Sequence, residues 1–131
     1  MPATFDEATR KLLDGKNFAT VTTLEPDGSP QSSVVWVQRD GDALLFSTTV
    51  ARRKARNLAR DPRISVSIFD LENPYTCAEI RGTVELISDP DKTLPQQLSH
   101  KYLGVNPPPE SADVHRLIVR VIPAKVITVA L

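Results

Sequence analysis

Phe18 to Leu24 (FATVTTL), Glu25-Pro-Asp-Gly28 and Gln31 to Arg39 (QSSVVWVQR) decide the fold of this chain. The first run alternates and is rich in β-branched residues, which marks a strand. The second is a turn with a mechanism, because Pro26 presets φ and Gly28 accepts positive φ. The third predicts another strand, closed by a hairpin at Asp40-Gly41. Ala43 to Thr48 (ALLFST) follows as a third strand. Strands joined by turns this tight must pair antiparallel.

Outward from there the pattern continues. Ile64 to Asp70 predicts a fourth strand and Thr76 to Ser88 a fifth, with Gly82 at a bulge or a close backbone approach. Leu117 to Val129 predicts the sixth, with Pro123 at a bulge or edge. Thr4-Phe-Asp-Glu7 reads as a capping box opening a helix to about Asp14, ended by Gly15. Asp89-Pro90 reads as N-cap and first residue of a helix running to about Tyr102, which Pro95 splits or kinks. Val105 to Asp113, with Pro107-Pro-Pro109, is extended loop. The fold class expected is mostly β with minor α, a six-stranded antiparallel sheet curled into a barrel. Residues 1–131 form one domain.

The chemistry concentrates between Phe46 and Pro62. The third strand ends in three hydroxyls, Ser47, Thr48 and Thr49, and a short basic helix from Arg52 to Arg60 follows. Arg52, Arg53, Lys54 and Arg56 crowd its start, where the helix dipole already contributes positive charge. Hydroxyls, free N–H groups and cationic heads together suit a phosphate. The competing reading is a solvated basic helix face. Gly28 to Ser33 offers amide and hydroxyl groups that can line a pocket. Trp36 either packs in the core or stacks on a ligand.

Other chemistry is thin. Sixteen basic and sixteen acidic residues give zero net charge, against the basic field that nucleic acid needs. Cys77 is the single cysteine, so an intrachain disulfide is excluded, and His100 and His115 lack metal-ligand spacing. Neither histidine has a triad context, and no P-loop or Gly-x-Gly-x-x-Gly pattern occurs. Glu72 and Glu79 read as solvated side chains, and Cys77 as a small buried hydrophobe. No leader or spanning apolar run is present, so the expectation is a cytoplasmic protein with no membrane partner.

Ala19-Thr-Val-Thr-Thr-Leu, Pro26-Asp-Gly-Ser-Pro-Gln and Val34-Val-Trp-Val together resemble the first hairpin of the pyridoxamine 5'-phosphate oxidase-like split β-barrel proteins. Leu45-Phe-Ser-Thr-Thr, then Arg52-Arg-Lys-Ala-Arg-Asn-Leu and Asp61-Pro-Arg, is similar to that family's phosphate-binding segment. Asn73-Pro-Tyr, Glu79-Ile-Arg-Gly-Thr-Val and His100-Lys-Tyr-Leu-Gly extend the likeness over nearly the whole chain. Within the family the chain looks most like the actinobacterial branch that uses the deazaflavin coenzyme F-420.

The resemblance implies a split β-barrel of the FMN-binding-protein type and a homodimer with cofactor grooves at its interface. It also implies an oxidoreductase that passes hydride from coenzyme F-420 to a small organic acceptor. The alternatives are an FMN enzyme on the same fold and a non-catalytic carrier of a flavin, deazaflavin or haem-derived ligand. Lys54 and Arg53, with Arg52, would hold the phosphate. Ser47, Thr48 and Thr49 would bond phosphate or ribityl oxygens. Gln31, Ser33, Val35 and Trp36 would face the ring. No catalytic side chain is implied. The sequence ends in Ile127-Thr-Val-Ala-Leu131, without the arginine/histidine set of the strict oxidase, so pyridoxamine phosphate oxidation itself is not expected.

Overall fold

A computed structural model describes residues 2–130. Its elements are α1 (Glu7–Asp14), β1 (Ala19–Leu24), β2 (Pro30–Val35), β3 (Gln38–Asp40), β4 (Ala43–Thr49), α2 (Arg53–Arg60), β5 (Arg63–Phe69), β6 (Cys77–Ser88), α3 (Thr93–Leu103) and β7 (Arg116–Val129). The strands form one antiparallel sheet in the order β2-β1-β5-β6-β7-β4-β3.

The sheet has seven strands, not the six expected. The predicted strand from Gln31 to Arg39 breaks at Trp36-Val37, and its halves lie at opposite edges of the sheet. Seven flat strands would put those edges roughly 29 Å apart at about 4.8 Å spacing. The three Cα steps from Val35 to Gln38 cover at most about 11 Å. The sheet must therefore curl until its edges nearly meet, which is the split barrel. The break follows from side-chain capture of the Val37 backbone. Val37 N donates to Tyr102 Oη at 3.1 Å, and Lys101 Nζ donates to Val37 O at 2.7 Å. Those groups are thereby lost to a continuous ladder.

Gly82 meets both expectations placed on it. The β6–β7 register slips between Arg81 and Gly82, opposite Pro123. A Cβ at Gly82 would stand 2.0 Å from Ile122 O, so only glycine fits without moving the backbone. Phe46, Leu44, Val66, Ile68, Ile80, Val119 and Val121 fill the barrel, and Leu13 of α1 plugs it. Each such side chain is worth ~1.5–3 kcal/mol of burial. A smaller cluster of Leu94, Leu98 and Tyr102 fixes α3 against Trp36, Leu45 and Ile118.

Helix starts differ from expectation. Asp6, not Thr4, caps α1, accepting from Thr9 N at 2.8 Å. α3 begins at Thr93, and the buried Asp89 carboxylate reaches forward to accept from Thr93 N and Leu94 N. Pro95 therefore falls in the first turn, where an absent N–H costs nothing, and α3 runs unbroken to Leu103. Cys77 is half-buried rather than buried.

Candidate functional site

A cavity of about 230 Å³ opens between the start of α2, the C-terminal end of β4 and α3. Val35, Trp36, Ser47, Thr48, Arg52 and Lys54 line it. Six of the ten residues expected at the site thus come together. Gln31, Ser33, Thr49 and Arg53 do not line it.

Lys54 dominates the electrostatics. It is only 7 % exposed, although it sits one residue into a surface helix. Among the described residues its ammonium has no hydrogen-bond or ion-pair partner. Burial, with the nearby charge of Arg52 as a second cause, pushes its pKa below the ordinary lysine value. Two cations held together at a helix start are unfavourable until an anion joins them. Arg52, the N-cap residue, contributes no side-chain cap, and the first turn of α2 carries no acid.

The position of Lys54 is fixed by residues one turn further along the same buried face of α2. Asn57, 1 % exposed, donates to Thr23 Oγ1 at 3.0 Å, and that hydroxyl donates to Gln31 Oε1 at 3.2 Å. Leu58 and Ala55 are buried alongside. The hydrophobic face of α2 and this polar chain lock the helix onto β1.

Thr48 faces inward from β4, in the alternation of Leu44 and Phe46. Its hydroxyl is buried with no hydrogen-bond partner, as is that of Ser33. A buried unpaired hydroxyl costs roughly 1–3 kcal/mol, and at Thr48 it borders the cavity, where an added oxygen could pair with it. Trp36 stacks on Tyr102 with ring centroids 5.1 Å apart and nearly parallel, while its pocket side borders Val34 and Val35. The packing expected of Trp36 is seen, and the residue also lines the cavity. Tyr102 Oη also donates to Asn17 O at 2.6 Å, so the tryptophan rests on a fixed base.

Arg53 turns away from the cavity. Its guanidinium pairs with Glu25 at 3.2 Å on the outer surface, because consecutive helical positions point about 100° apart. Gln31 is spent on Thr23 and lies beside Arg53 and the Glu25–Ser29 turn. Thr49 sits at the sheet end opposite Arg116, where its carbonyl receives Arg52 N. Ser33 lies on edge strand β2, paired with Val21 in β1.

Sequence reasoning missed Pro95, Leu98, Pro107 and Arg116, which with Val34 complete the lining. Only the β4–β7 register brings Arg116 beside Thr49, and no local pattern signals it. His100 is exposed and bonded to Asn106, and Glu79 is ion-paired with Arg81, as solvated residues. No cluster of three metal-ligating residues exists among the described residues, and no helix there is long and apolar enough to cross a membrane.

Curled antiparallel sheet and flanking helices define a split-barrel protein with a cationic pocket at the start of α2. The chain belongs to the pyridoxamine 5'-phosphate oxidase family, which it matches over residues 5–130. A pyridoxine/pyridoxamine 5'-phosphate oxidase from Cupriavidus necator is 31% identical over 86 residues, 65% of this chain and 40% of that protein. The chain thus spans under half the length of the curated relatives it matches. A solved F420 reductase is 32% identical, with a TM-score of 0.86, covering 94% of this chain and 98% of that one. A pyridoxamine 5'-phosphate oxidase-related, FMN binding protein from Nostoc punctiforme shares the fold at 16% identity and a TM-score of 0.62, covering 89% and 75%.

Proposed function

We propose that this protein is an oxidoreductase that holds coenzyme F-420 by its phosphate and serves hydride transfer to a small organic acceptor. The observation that carries this reading is Lys54, buried and unpaired beside Arg52, with the orphaned Thr48 hydroxyl in the same cavity. A cation desolvated without a partner is compensated when an anion arrives. The likeness to an F420 reductase over almost the full length of both chains supports the deazaflavin over FMN. FMN, with the same phosphate and a similar ring, is the alternative on this scaffold.

When bound, the deazaflavin supplies the hydride chemistry. The protein's part is placement and field. Lys54 and Arg52 neutralise the phosphate, and Thr48 donates its hydroxyl to it or to a ribityl oxygen. Trp36, backed by Tyr102, offers a flat face for the ring. β2 is a sheet edge, so alternate N–H groups along it point away from the ladder and are free to donate. Such donors stabilise negative charge on a heterocycle without reorganising.

A second copy of the chain would complete the site. Val34, at the pocket rim, is 66 % exposed, and Phe69 and Val129, both paired with Cys77 across β6, are exposed as well. Apolar side chains in these places favour association. The catalytic reading is tested by turnover of the reduced deazaflavin with a panel of enones, quinones and tetrapyrroles. Oxidation that depends on both acceptor and protein supports an enzyme. Tight binding with no turnover on any acceptor leaves a carrier.

A further inference from the structure

The cavity at Lys54 adjoins a second one of about 500 Å³, and the two share Pro95, Pro107 and Arg116 in their linings. This second space is also cationic. Arg116 lines both cavities, with its guanidinium 3.4 Å from Ser47 Oγ on the phosphate side. On the far side the same guanidinium grips Glu110 through two bonds of 3.0 and 2.8 Å. Lys92 stands 3.7 Å from that carboxylate and donates to Ser111 O at 2.9 Å. Two cations thus face one carboxylate, and the forked geometry is the one that recognises carboxylates bidentately.

The carboxylate is the chain's own, carried on the segment between α3 and β7. Pro107, Pro108 and Pro109 precede it and have no N–H to bond. Glu110 is therefore held by its charge rather than by a backbone ladder, and its pair with Arg116 is partly solvated. A partly exposed pair of this kind is weak enough for a competing carboxylate to replace.

We propose that the second cavity is a carboxylate subsite for the same ligand whose phosphate sits at Lys54, with Glu110 keeping the place until that ligand binds. The inference rests on the proposed function for its cofactor, and it assigns Arg116 and Lys92 to the glutamyl tail of coenzyme F-420. The shared Arg116 wall brings the two cavities close enough for one molecule to carry both anions.

The test titrates the full-length protein with two ligands, the tailed coenzyme and the ribityl-deazaflavin phosphate that lacks the tail, following ligand fluorescence. Three variants accompany the wild type: Glu110→Gln, Arg116→Gln and Lys54→Met. Glu110→Gln should tighten the tailed ligand roughly five- to tenfold and the tailless one much less. Arg116→Gln should abolish the preference for the tail, a loss of roughly tenfold, the scale of one charge-assisted bond. Thermal melting verifies that each variant is folded. An unchanged tail preference in both Glu110→Gln and Arg116→Gln, with Lys54→Met still weakening both ligands, overturns the subsite and leaves the phosphate pocket standing. A Lys54→Met variant that binds both ligands normally, with the other two behaving as expected, sinks the pocket and keeps the subsite. Absence of binding by either ligand to the wild type overturns both.

Discussion

Lys54→Met separates a binding role from a structural one, because the two predict opposite signs. Methionine keeps the length of the buried stem and removes the charge. In the free protein Lys54 is desolvated, unpaired and close to Arg52, and its pKa lies below the ordinary lysine value. The sign of its effect on folding follows. Below the folded pKa both states carry the proton, and the folded state bears the full cost of the buried charge. Between the folded and unfolded pKa values the unfolded state binds more protons, so stability rises with pH. At neutral pH the charge is therefore a burden, and Lys54→Met should raise the melting temperature or leave it unchanged. Binding should move the other way. Loss of a charged hydrogen bond to phosphate costs about 1.5–3 kcal/mol, or tenfold and more in Kd. Thermal melts without ligand and fluorescence titrations with the phosphorylated cofactor read the two effects separately. A variant that melts lower and binds as tightly as wild type would refute the reasoning.

Arg53→Ala, which removes the same charge one residue away, should bind the cofactor almost normally and lose under about 1 kcal/mol of stability, as a surface pair with Glu25 does; titration beside Lys54→Met checks it. Tyr102→Phe keeps the ring under Trp36 but strands Val37 N and Asn17 O, so denaturant melts should show a loss of about 1–3 kcal/mol and titrations a weaker ring site. Gly82→Ala forces a methyl against Ile122 O and should cost at least about 1–3 kcal/mol in the same melts. Lys101, whose burial lowers its pKa to about 8, binds Leu13 O and Val37 O. The unfolded state binds more protons than the folded one from about pH 8 up to the ordinary lysine value near 10.5, so this group makes stability rise with pH across that window. Lys101→Met should lack that rise, as paired denaturation curves at pH 7.5 and 9.5 would show.

Much of this was legible locally. Alternation and turn chemistry mark out the sheet, and the lack of a Cβ at Gly82 is what allows the close approach at the bulge. What the sequence hides is three-dimensional. Gln31 to Arg39 carries one uninterrupted strand pattern, and only the Tyr102 and Lys101 side chains, over sixty residues away, break it at Val37. The basic helix start suggests an anion, but four clustered cations do not say which face is buried. Asn57 and Leu58 decide it, turning Lys54 inward and Arg53 out. Arg116 and Glu110 stay silent in the sequence because the first enters the site through strand register and the second through a proline-rich loop.

The central claim is that the Lys54 pocket takes a deazaflavin phosphate in preference to FMN. Parallel equilibrium titrations of the purified protein with coenzyme F-420 and with FMN, at one pH and ionic strength, test it directly. The deazaflavin should bind more tightly, and Lys54→Met should weaken it about tenfold or more. Tight FMN binding with no measurable deazaflavin binding would contradict it.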